Sequence, residues 1–253
     1  MSYPILEFDS DPEAHIEPSR VIRPADVAEA CVICFFREVL ERVTEEQQAV
    51  QRAQIRSEMG VLPVYELLIN GQRLTTIQGG VGGPLAVGIL EELIALGCRK
   101  FIACGGAGVL DSSIAPGAVI IPTSAVRDEG TSYHYLPPGR EVAPHPAGVQ
   151  AIESTLAAHD VPYQMAKTWT TDAIYRETKG RIARRRAEGC ATVEMEAASF
   201  FAVAQFRGVI FAQLLYGGDD VGGAEWDPRD WVHGRANSRE KLFWLAVESA
   251  LRL

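Results

Sequence analysis

The sequence predicts an α/β fold in which a central sheet is covered by helices on both faces. Apolar runs of strand length alternate with stretches of helical periodicity along the chain. No internal repeat or low-complexity linker interrupts them, and 47% of the 253 residues are apolar. A chain of this size can bury a large core without dividing. We therefore expect one domain over residues 1–253, with residues 1–30 as an N-terminal extension.

The predicted elements alternate from residue 31 to the end of the sequence. We expect strands at 31–35, 62–69, 73–78, 100–104, 117–122, 163–169 and 208–216. We expect helices at 38–54, 84–96, 146–159, 178–188, 196–206 and 235–252. The helix over 84–96 has the clearest signals, because Pro84 suits a first helical position and Gly97 can end the helix. The long segment 127–144 is expected to wall a site or an interface.

Composition and charge disfavour several classes of protein. The net charge of -9 argues against nucleic-acid partners, since neutralising phosphates requires clustered Lys and Arg. No apolar run approaches the roughly 20 residues that span a bilayer. The polar, acidic segment 1–20 does not have the pattern of a secretory signal. We expect a cytoplasmic protein that binds neither nucleic acid nor membrane.

The five cysteines, an odd number, do not suit a disulfide framework. Cys31 and Cys34 have the spacing of a metal or redox motif, but they lie within a predicted buried strand. Residues three apart on a strand face opposite sides, so the two sulfurs should diverge. We interpret them as core cysteines and expect no metal site.

Two glycine-rich loops each follow an apolar strand. The first spans Gly79–Gly83 and leads into the helix near Pro84, and the second spans Gly105–Gly108. Glycines allow backbone N–H groups to approach an anion, and a helix N-terminus adds partial positive charge. Neither loop matches a Walker A or a dinucleotide-binding motif. Each therefore fits either an anion site or the tight turns of a crowded sheet.

Acidic residues occur at two junctions late in the chain. Glu194, Met195 and Glu196 occupy a strand-to-helix junction within Thr192–Ala198. Asp219 and Asp220 follow at the end of the next apolar strand. Acids at a helix N-terminus are favourable in themselves, so a structural role stands beside a catalytic one.

In these segments the sequence resembles the nucleoside phosphorylase and nucleosidase superfamily, which includes the purine nucleoside and uridine phosphorylases. Val193–Ala198 matches the ribose motif of that family almost letter for letter, and Thr170–Tyr175 matches its base-pocket segment. The two glycine loops are similar to its loops, and the resemblance runs from residue 31 to the final helix. It implies a single-domain phosphorylase/hydrolase-like fold with a mixed, partly barrel-like sheet flanked by helices.

The resemblance also implies roles for individual residues. Glu196 would accept hydrogen bonds from the ribose hydroxyls and stabilise the oxocarbenium character of N-glycosidic cleavage. Asp219 would protonate the leaving base at N7, with Asp220 as the competing acid. The other ribose-binding candidates are Met195, Glu194 and, from a neighbouring subunit, His15. The base-binding candidates are Thr171, Ile174, Tyr175, Val193 and Gly108, and the phosphate-binding candidates are Gly80, Gly82, Gly106, Arg37 and Arg56.

The sequence departs from the family at the phosphate site. In phosphorolytic members a Gly-Asp-Pro loop with a nearby Arg follows the first strand, whereas this chain has Phe35–Arg37. A second family Arg is replaced by Ala103, and a Ser or Thr by Gly106. Arg37 or Arg56 would have to supply the missing charge. A water nucleophile needs no such cation, which keeps hydrolysis as an alternative.

We predict a nucleoside phosphorylase that prefers purines and transfers the pentosyl group to inorganic phosphate, giving a free base and ribose 1-phosphate. Its partners would be the nucleoside and phosphate, with no organic cofactor and no metal. A hydrolytic nucleosidase and a noncatalytic nucleoside-binding protein are the alternatives. The resemblance also predicts a homo-oligomer, whether a dimer, a trimer or a hexamer.

Overall fold

The computed structural model describes residues 3–229 and 236–253, which form ten strands and seven helices. The strands are β1 (Ala30–Cys34), β2 (Val50–Ser57), β3 (Gly60–Ile69), β4 (Gln72–Gln78), β5 (Lys100–Val109), β6 (Val119–Asp128), β7 (Glu141–Val142), β8 (Tyr163–Thr171), β9 (Cys190–Glu194) and β10 (Ile210–Asp220). The helices are α1 (Pro18–Val21), α2 (Arg37–Glu46), α3 (Gly83–Leu96), α4 (Pro146–Ala158), α5 (Lys179–Ala187), α6 (Ala197–Arg207) and α7 (Ala236–Leu251). Within these two ranges, no helix has both the length and the hydropathy that crossing a bilayer requires.

The ten strands form one mixed sheet that closes partly into a barrel. The strand order is β10-β6-β8-β9-β5-β1-β4-β3-β2, and β7 pairs with β6. A further pairing of β5 with β10 closes a ring of five strands, β5, β9, β8, β6 and β10. β1 and β4 continue the sheet in parallel, and β3 and β2 add an antiparallel edge. The predicted α/β fold with a mixed, partly barrel-like sheet is therefore confirmed.

Helices cover both faces of this sheet, and each face has its own apolar core. On one face α3 and α6 pack against strand residues such as Cys31 and Ile33. On the other face α2, α4 and α7 pack with Val32 and Cys34. The alternation of these β1 residues between the two cores confirms that Cys31 and Cys34 diverge. Both are buried, free cysteines.

The predicted helix over 38–54 is wrong beyond Glu46. α2 ends there, the chain turns at Gln48 with a φ of 51°, and β2 begins at Val50. β2 lies at the edge of the sheet, where Ile55 is its one buried residue. Because nearly all of β2 is exposed, it lacks the apolar alternation that identifies a strand in a sequence. The sequence therefore predicts that its residues continue the preceding helix.

The strand-to-helix junction expected within Thr192–Ala198 is formed by β9 and α6. β9 is absent from the predicted strands, although all five of its residues are buried. Two of the five, Thr192 and Glu194, are polar, so hydrophobicity alone does not mark this strand. The carboxyl end of β9 places Glu194 next to the start of α6.

The parallel strands β1, β4, β5 and β10 end at one edge of the sheet. Phe35 and Phe36 follow β1, the first glycine loop follows β4, and the second glycine loop lies within β5. β9 reaches the same edge because Val193 pairs with Gly108 near the end of β5. Ligand sites of parallel sheets form at such carboxyl ends.

Candidate active site

A cavity of about 490 Å³ lies at this edge of the sheet. Its walls come from segments that are far apart in sequence, from the residues after β1 to α7. The lining residues are Phe35, Phe36, Val81, Gly105, Gly106, Ala107, Gly108, Ile174, Glu177, Val193, Glu194, Met195, Glu196, Gln213, Tyr216, Gly218, Asp219 and Arg239. A second cavity, of about 630 Å³ beside α7, has none of the predicted site residues in its described walls.

Glu196 lies in the wall of the first cavity and is only 6% exposed. Its Oε1 atom accepts a hydrogen bond of 2.7 Å from the backbone N–H of Gly82. Gly82 has a φ of 85°, which is a conformation that favours glycine. Burial, together with the charge of Glu194, raises the pKa of Glu196 to about 8. The first glycine loop is therefore in direct contact with the carboxylate expected to bind sugar.

Glu194 also faces the cavity, but its carboxylate is already bonded to the protein. Its Oε2 atom accepts hydrogen bonds from the backbone N–H groups of Glu196 (2.7 Å) and Ala197 (2.6 Å) at the start of α6. Its Oε1 atom accepts one from the Thr170 hydroxyl at 2.6 Å. Burial raises the pKa of Glu194 to about 7, against the effect of these three donors. Glu194 therefore holds the N-terminus of α6, and its ribose-binding role stays a prediction.

Removing this carboxylate should destabilise the fold. In Glu194→Ala, two backbone N–H groups and the Thr170 hydroxyl lose their acceptor inside the protein. A buried donor left unsatisfied costs about 1–3 kcal/mol. We therefore expect the free energy of unfolding, measured in urea, to fall by about 2–4 kcal/mol. The control is Glu177→Ala, which removes a lining acid away from α6 and should change that free energy by less than about 1 kcal/mol. An equal loss in both variants would contradict the capping role.

Asp219 forms the wall of the cavity at the end of β10. Its Oδ2 atom accepts a hydrogen bond of 2.7 Å from the indole N–H of Trp226. Its Oδ1 atom lies 3.5 Å from the position that a Cβ atom would take at Gly108, so these two predicted site residues are in contact. Burial, together with the negative charge of Asp219, raises the pKa of Glu177 to about 7. Two acids therefore share this end of the cavity, where a proton can be held near neutral pH.

Asp220 is not among the described residues that line the cavity. Its Oδ1 atom accepts hydrogen bonds from the Ser112 hydroxyl (3.1 Å) and the Gly222 N–H (2.8 Å). Its Oδ2 atom pairs with Arg229 at 2.8 Å. Adjacent residues on a strand point to opposite sides, so only one of the two aspartates can face the ligand. Asp220 thus lies in a buried ion pair outside the described wall, and its role as the competing acid stays a prediction.

Four lining residues with polar groups lie outside the prediction: Glu177, Gln213, Tyr216 and Arg239. Gln213 is 2% exposed, and among the described residues its Oε1 atom has no hydrogen-bond partner. Arg239 comes from α7 and donates hydrogen bonds to Tyr216 and Glu38. Gln213 sits in an apolar strand and Arg239 in a charged stretch of helix, so no motif identifies either. Only Glu177 could have been identified from the sequence, because it closely follows the base-pocket segment.

Most of the residues predicted to contact the base or the sugar reach the cavity. The lining includes Met195, Val193, Gly108, Ile174 and, from the second glycine loop, Gly106. Thr171 lies outside the described wall, because it is buried and its hydroxyl accepts a hydrogen bond from the backbone of Ala173. The side chain of Tyr175 is exposed and also lies outside the described wall. Gly80 lies behind the wall, where a Cβ atom would collide with Leu85.

The predicted phosphate-binding cations do not reach this cavity. Arg37 is exposed and pairs with Glu41, one turn along α2, at 2.7 Å. Arg56 is exposed on the edge strand β2, and His15 is exposed in the N-terminal extension. Neither Arg37 nor Arg56 therefore lines the described wall of this chain's own cavity. A role for His15 or Arg56 in the pocket of a neighbouring subunit stays a prediction.

The ionisable groups of the described lining are mainly acidic. Four carboxyl groups, those of Glu177, Glu194, Glu196 and Asp219, line the cavity together with the guanidinium of Arg239. A carboxylic acid that holds a proton near neutral pH can protonate a leaving group. An ionised carboxylate can accept hydrogen bonds from hydroxyls and stabilise a developing cation. The cavity can therefore support cleavage between a sugar and a basic leaving group. Across residues 3–229 and 236–253, no cluster of His, Cys, Asp and Glu is arranged to hold a metal ion.

Comparison with known proteins places the sequence in one family. The sequence profile of the phosphorylase superfamily matches residues 29–248. A guanosine phosphorylase of Halorubrum lacusprofundi is 28% identical over 140 residues, which are 55% of this chain and 58% of that protein. The matched part is thus less than two thirds of the relative's length.

Solved structures share the fold. Uridine phosphorylase from Vibrio fischeri superposes with a TM-score of 0.75 at 22% identity, over 90% of this chain and 94% of that one. AMP nucleosidase from Bacteroides thetaiotaomicron superposes with a TM-score of 0.72 at 22% identity, over 90% of this chain and 89% of that one. At such identities the likeness shows the fold alone.

Proposed function

This chain belongs to the phosphorylase superfamily, and we propose that it cleaves the N-glycosidic bond of a nucleoside, preferring a purine and using inorganic phosphate as the nucleophile. This proposal rests on the observation that Glu196 and Asp219 line the same cavity. Glu196 lies beside the first glycine loop and α6, whereas Asp219 lies beside Gly108 and Glu177. A nucleoside between them would have a carboxylate at its sugar and an acid at its base.

At the base, Asp219 acts as the general acid. Protonation allows the base to leave as a neutral molecule, which lowers the barrier to breaking the C–N bond. The indole of Trp226 holds the Oδ2 atom of Asp219 and so orients the carboxyl group. Glu177 stands beside it with a raised pKa and keeps a proton available near neutral pH.

At the sugar, Glu196 in its ionised form accepts hydrogen bonds from the ribose hydroxyls. Its negative charge also stabilises the oxocarbenium character that develops as the base leaves. The Gly82 N–H holds the Oε1 atom and fixes the direction of the carboxylate. Met195, in the same wall, packs against the apolar side of the sugar.

Two observations support a purine as the base. N7 of a purine offers a site that Asp219 can protonate, and the similar guanosine phosphorylase has a purine in its name. The segment Arg176–Gly180 has no clear match to the Gln and Arg that resemblance to uridine phosphorylases would require for uracil. The wall beside Asp219 instead presents Ile174, Val193 and Glu177.

Phosphate is the proposed nucleophile because a relative similar in sequence is a phosphorylase and because the second glycine loop lines the cavity. Water is the second candidate, and one observation favours it. The described wall contains four carboxyl groups but neither Arg37 nor Arg56, so a dianion has few cations to bind.

Product analysis of a nucleoside panel tests the proposal. Inosine, guanosine, adenosine and uridine are incubated with the protein, with and without inorganic phosphate. We expect phosphate-dependent release of purine and ribose 1-phosphate, with uridine cleaved at least about tenfold more slowly. Free ribose formed without phosphate would identify a nucleosidase instead. Tight binding of nucleosides without any product would support the noncatalytic alternative.

A further inference from the structure

We propose that Arg239 binds a phosphate group at the end of the cavity walled by Phe36, Tyr216 and Gly106. Arg239 is the one cationic side chain among the described residues of the wall. The ligand assigned to it, the inorganic phosphate nucleophile, rests on the proposed function. The assignment of a phosphate oxyanion rests on the geometry around the guanidinium.

The contacts that hold the guanidinium of Arg239 in place include the following three. Its Nη1 atom donates to the Glu38 carboxylate at 2.7 Å, and its Nε atom donates to the Tyr216 hydroxyl at 3.3 Å. Its central carbon lies 5.6 Å from the centre of the Phe36 ring. The side chain is therefore held against the wall rather than extended into solvent, and it is 21% exposed. A guanidinium held in a fixed direction suits paired hydrogen bonds to a phosphate.

The second glycine loop reaches the same point. A Cβ atom at Gly106 would lie 3.1 Å from the Tyr216 hydroxyl, which is bonded to Arg239. A Cβ atom at Gly105 would lie 3.2 Å from the Phe35 ring. The backbone at Gly106 thus packs directly on the Tyr216 ring, whose hydroxyl is bonded to the guanidinium. Close backbone next to a fixed positive charge is the usual composition of a phosphate site.

The acids beside Asp219 lie further along the same wall. A Cβ atom at Gly106 would meet the Tyr216 ring, and one at Gly108 would lie 3.5 Å from Asp219. Gly106 and Gly108 are two strand residues apart, which corresponds to about 7 Å. An anion bonded to Arg239 is therefore nearer to a positive charge than to the carboxylate of Asp219.

Steady-state kinetics test the role of Arg239. In Arg239→Gln, we expect the KM for inorganic phosphate to rise about 10- to 100-fold, because a charge-assisted hydrogen bond is lost. The KM for the nucleoside should stay within about threefold. Arg239→Lys keeps the positive charge but lacks the planar guanidinium. Its KM for phosphate should lie between those of the wild type and Arg239→Gln. The matched control is Arg37→Gln, an exposed arginine of the same region, which should change neither constant.

Binding without turnover separates this inference from the proposed function. Inorganic phosphate and, separately, a nucleoside 5′-monophosphate are titrated calorimetrically into the wild type and into Arg239→Gln, after circular dichroism has shown that both are folded. At least about tenfold weaker phosphate binding by the variant supports the site even if no nucleoside is cleaved. A loss confined to the nucleotide would overturn the assignment to free phosphate and identify a 5′-phosphate subsite. Equal affinities in both proteins, or no binding by the wild type, would overturn the site itself.

Discussion

Replacing Asp219 by Asn is expected to lower kcat/KM for purine nucleosides by about 10²- to 10⁴-fold, the usual contribution of a general acid. Asn keeps the shape of the side chain and an oxygen for the Trp226 indole, but it has no acidic proton for the base. The measurement is the rate of base release from inosine and guanosine. Nitrophenyl ribosides, whose leaving group needs no proton, should be cleaved within about tenfold of the wild-type rate.

The neighbouring aspartate supplies the control for this experiment. Asp220→Asn breaks the buried pair with Arg229, so it should lower the free energy of unfolding by on the order of 3 kcal/mol. The activity of the folded fraction should fall equally for both kinds of substrate. If Asp219→Asn also damaged both kinds equally, its role would be structural. If Asp220→Asn showed the selective loss, the acid would be Asp220.

The predictable part of the site consists of residues that are close together in sequence. The Glu194–Glu196 motif marks a strand-to-helix junction, and β9 and α6 form that junction. Which of the two glutamates is available to a ligand depends on partners from distant segments. Thr170 of β8 and the first N–H groups of α6 occupy Glu194, and Gly82 of the first loop orients Glu196. No local sequence pattern therefore predicts which of the two glutamates is available to a ligand.

The same limit applies to the cation of the cavity. Arg37 lies in the right segment of the chain, but on α2 its side chain points outward to Glu41. The guanidinium in the cavity belongs to Arg239, which approaches from the last helix and is held by Glu38, the residue next to Arg37. Helices α2 and α7 are far apart in sequence, and the fold of the whole sheet brings them together. A prediction restricted to neighbouring positions therefore does not find the arginine that lines the cavity.

Changing Glu196 to Gln is expected to reduce kcat/KM about 10- to 100-fold, because a charge-assisted hydrogen bond to the ribose is lost. The amide can still accept the Gly82 N–H, so the loop should keep its position. The control is Glu66→Gln, which neutralises a buried acid of β3 that pairs with Arg52 and Arg73. Glu66→Gln should lose stability and keep its activity. Activity of Glu196→Gln within about twofold of wild type would remove Glu196 from the sugar site.

The stability of Glu196→Gln should move in the opposite direction from its activity. The pKa of Glu196 is 4.5 in an ordinary setting, and burial raises it to about 8 in the folded protein. Between these values the folded state keeps a proton that the unfolded chain has released, so wild-type stability falls as the pH rises through this window. Gln cannot ionise and does not lose this contribution. Since each pKa unit corresponds to about 1.4 kcal/mol, the full shift corresponds to about 5 kcal/mol, and Glu196→Gln should be more stable than wild type at pH 8.5 by an amount of this order. At pH 4.5 the two free energies of unfolding, measured in urea, should nearly coincide. A variant that is less stable than wild type at both pH values would show that the carboxylate stabilises the fold. Glu196 would then not be an acid whose pKa is raised at the cost of stability.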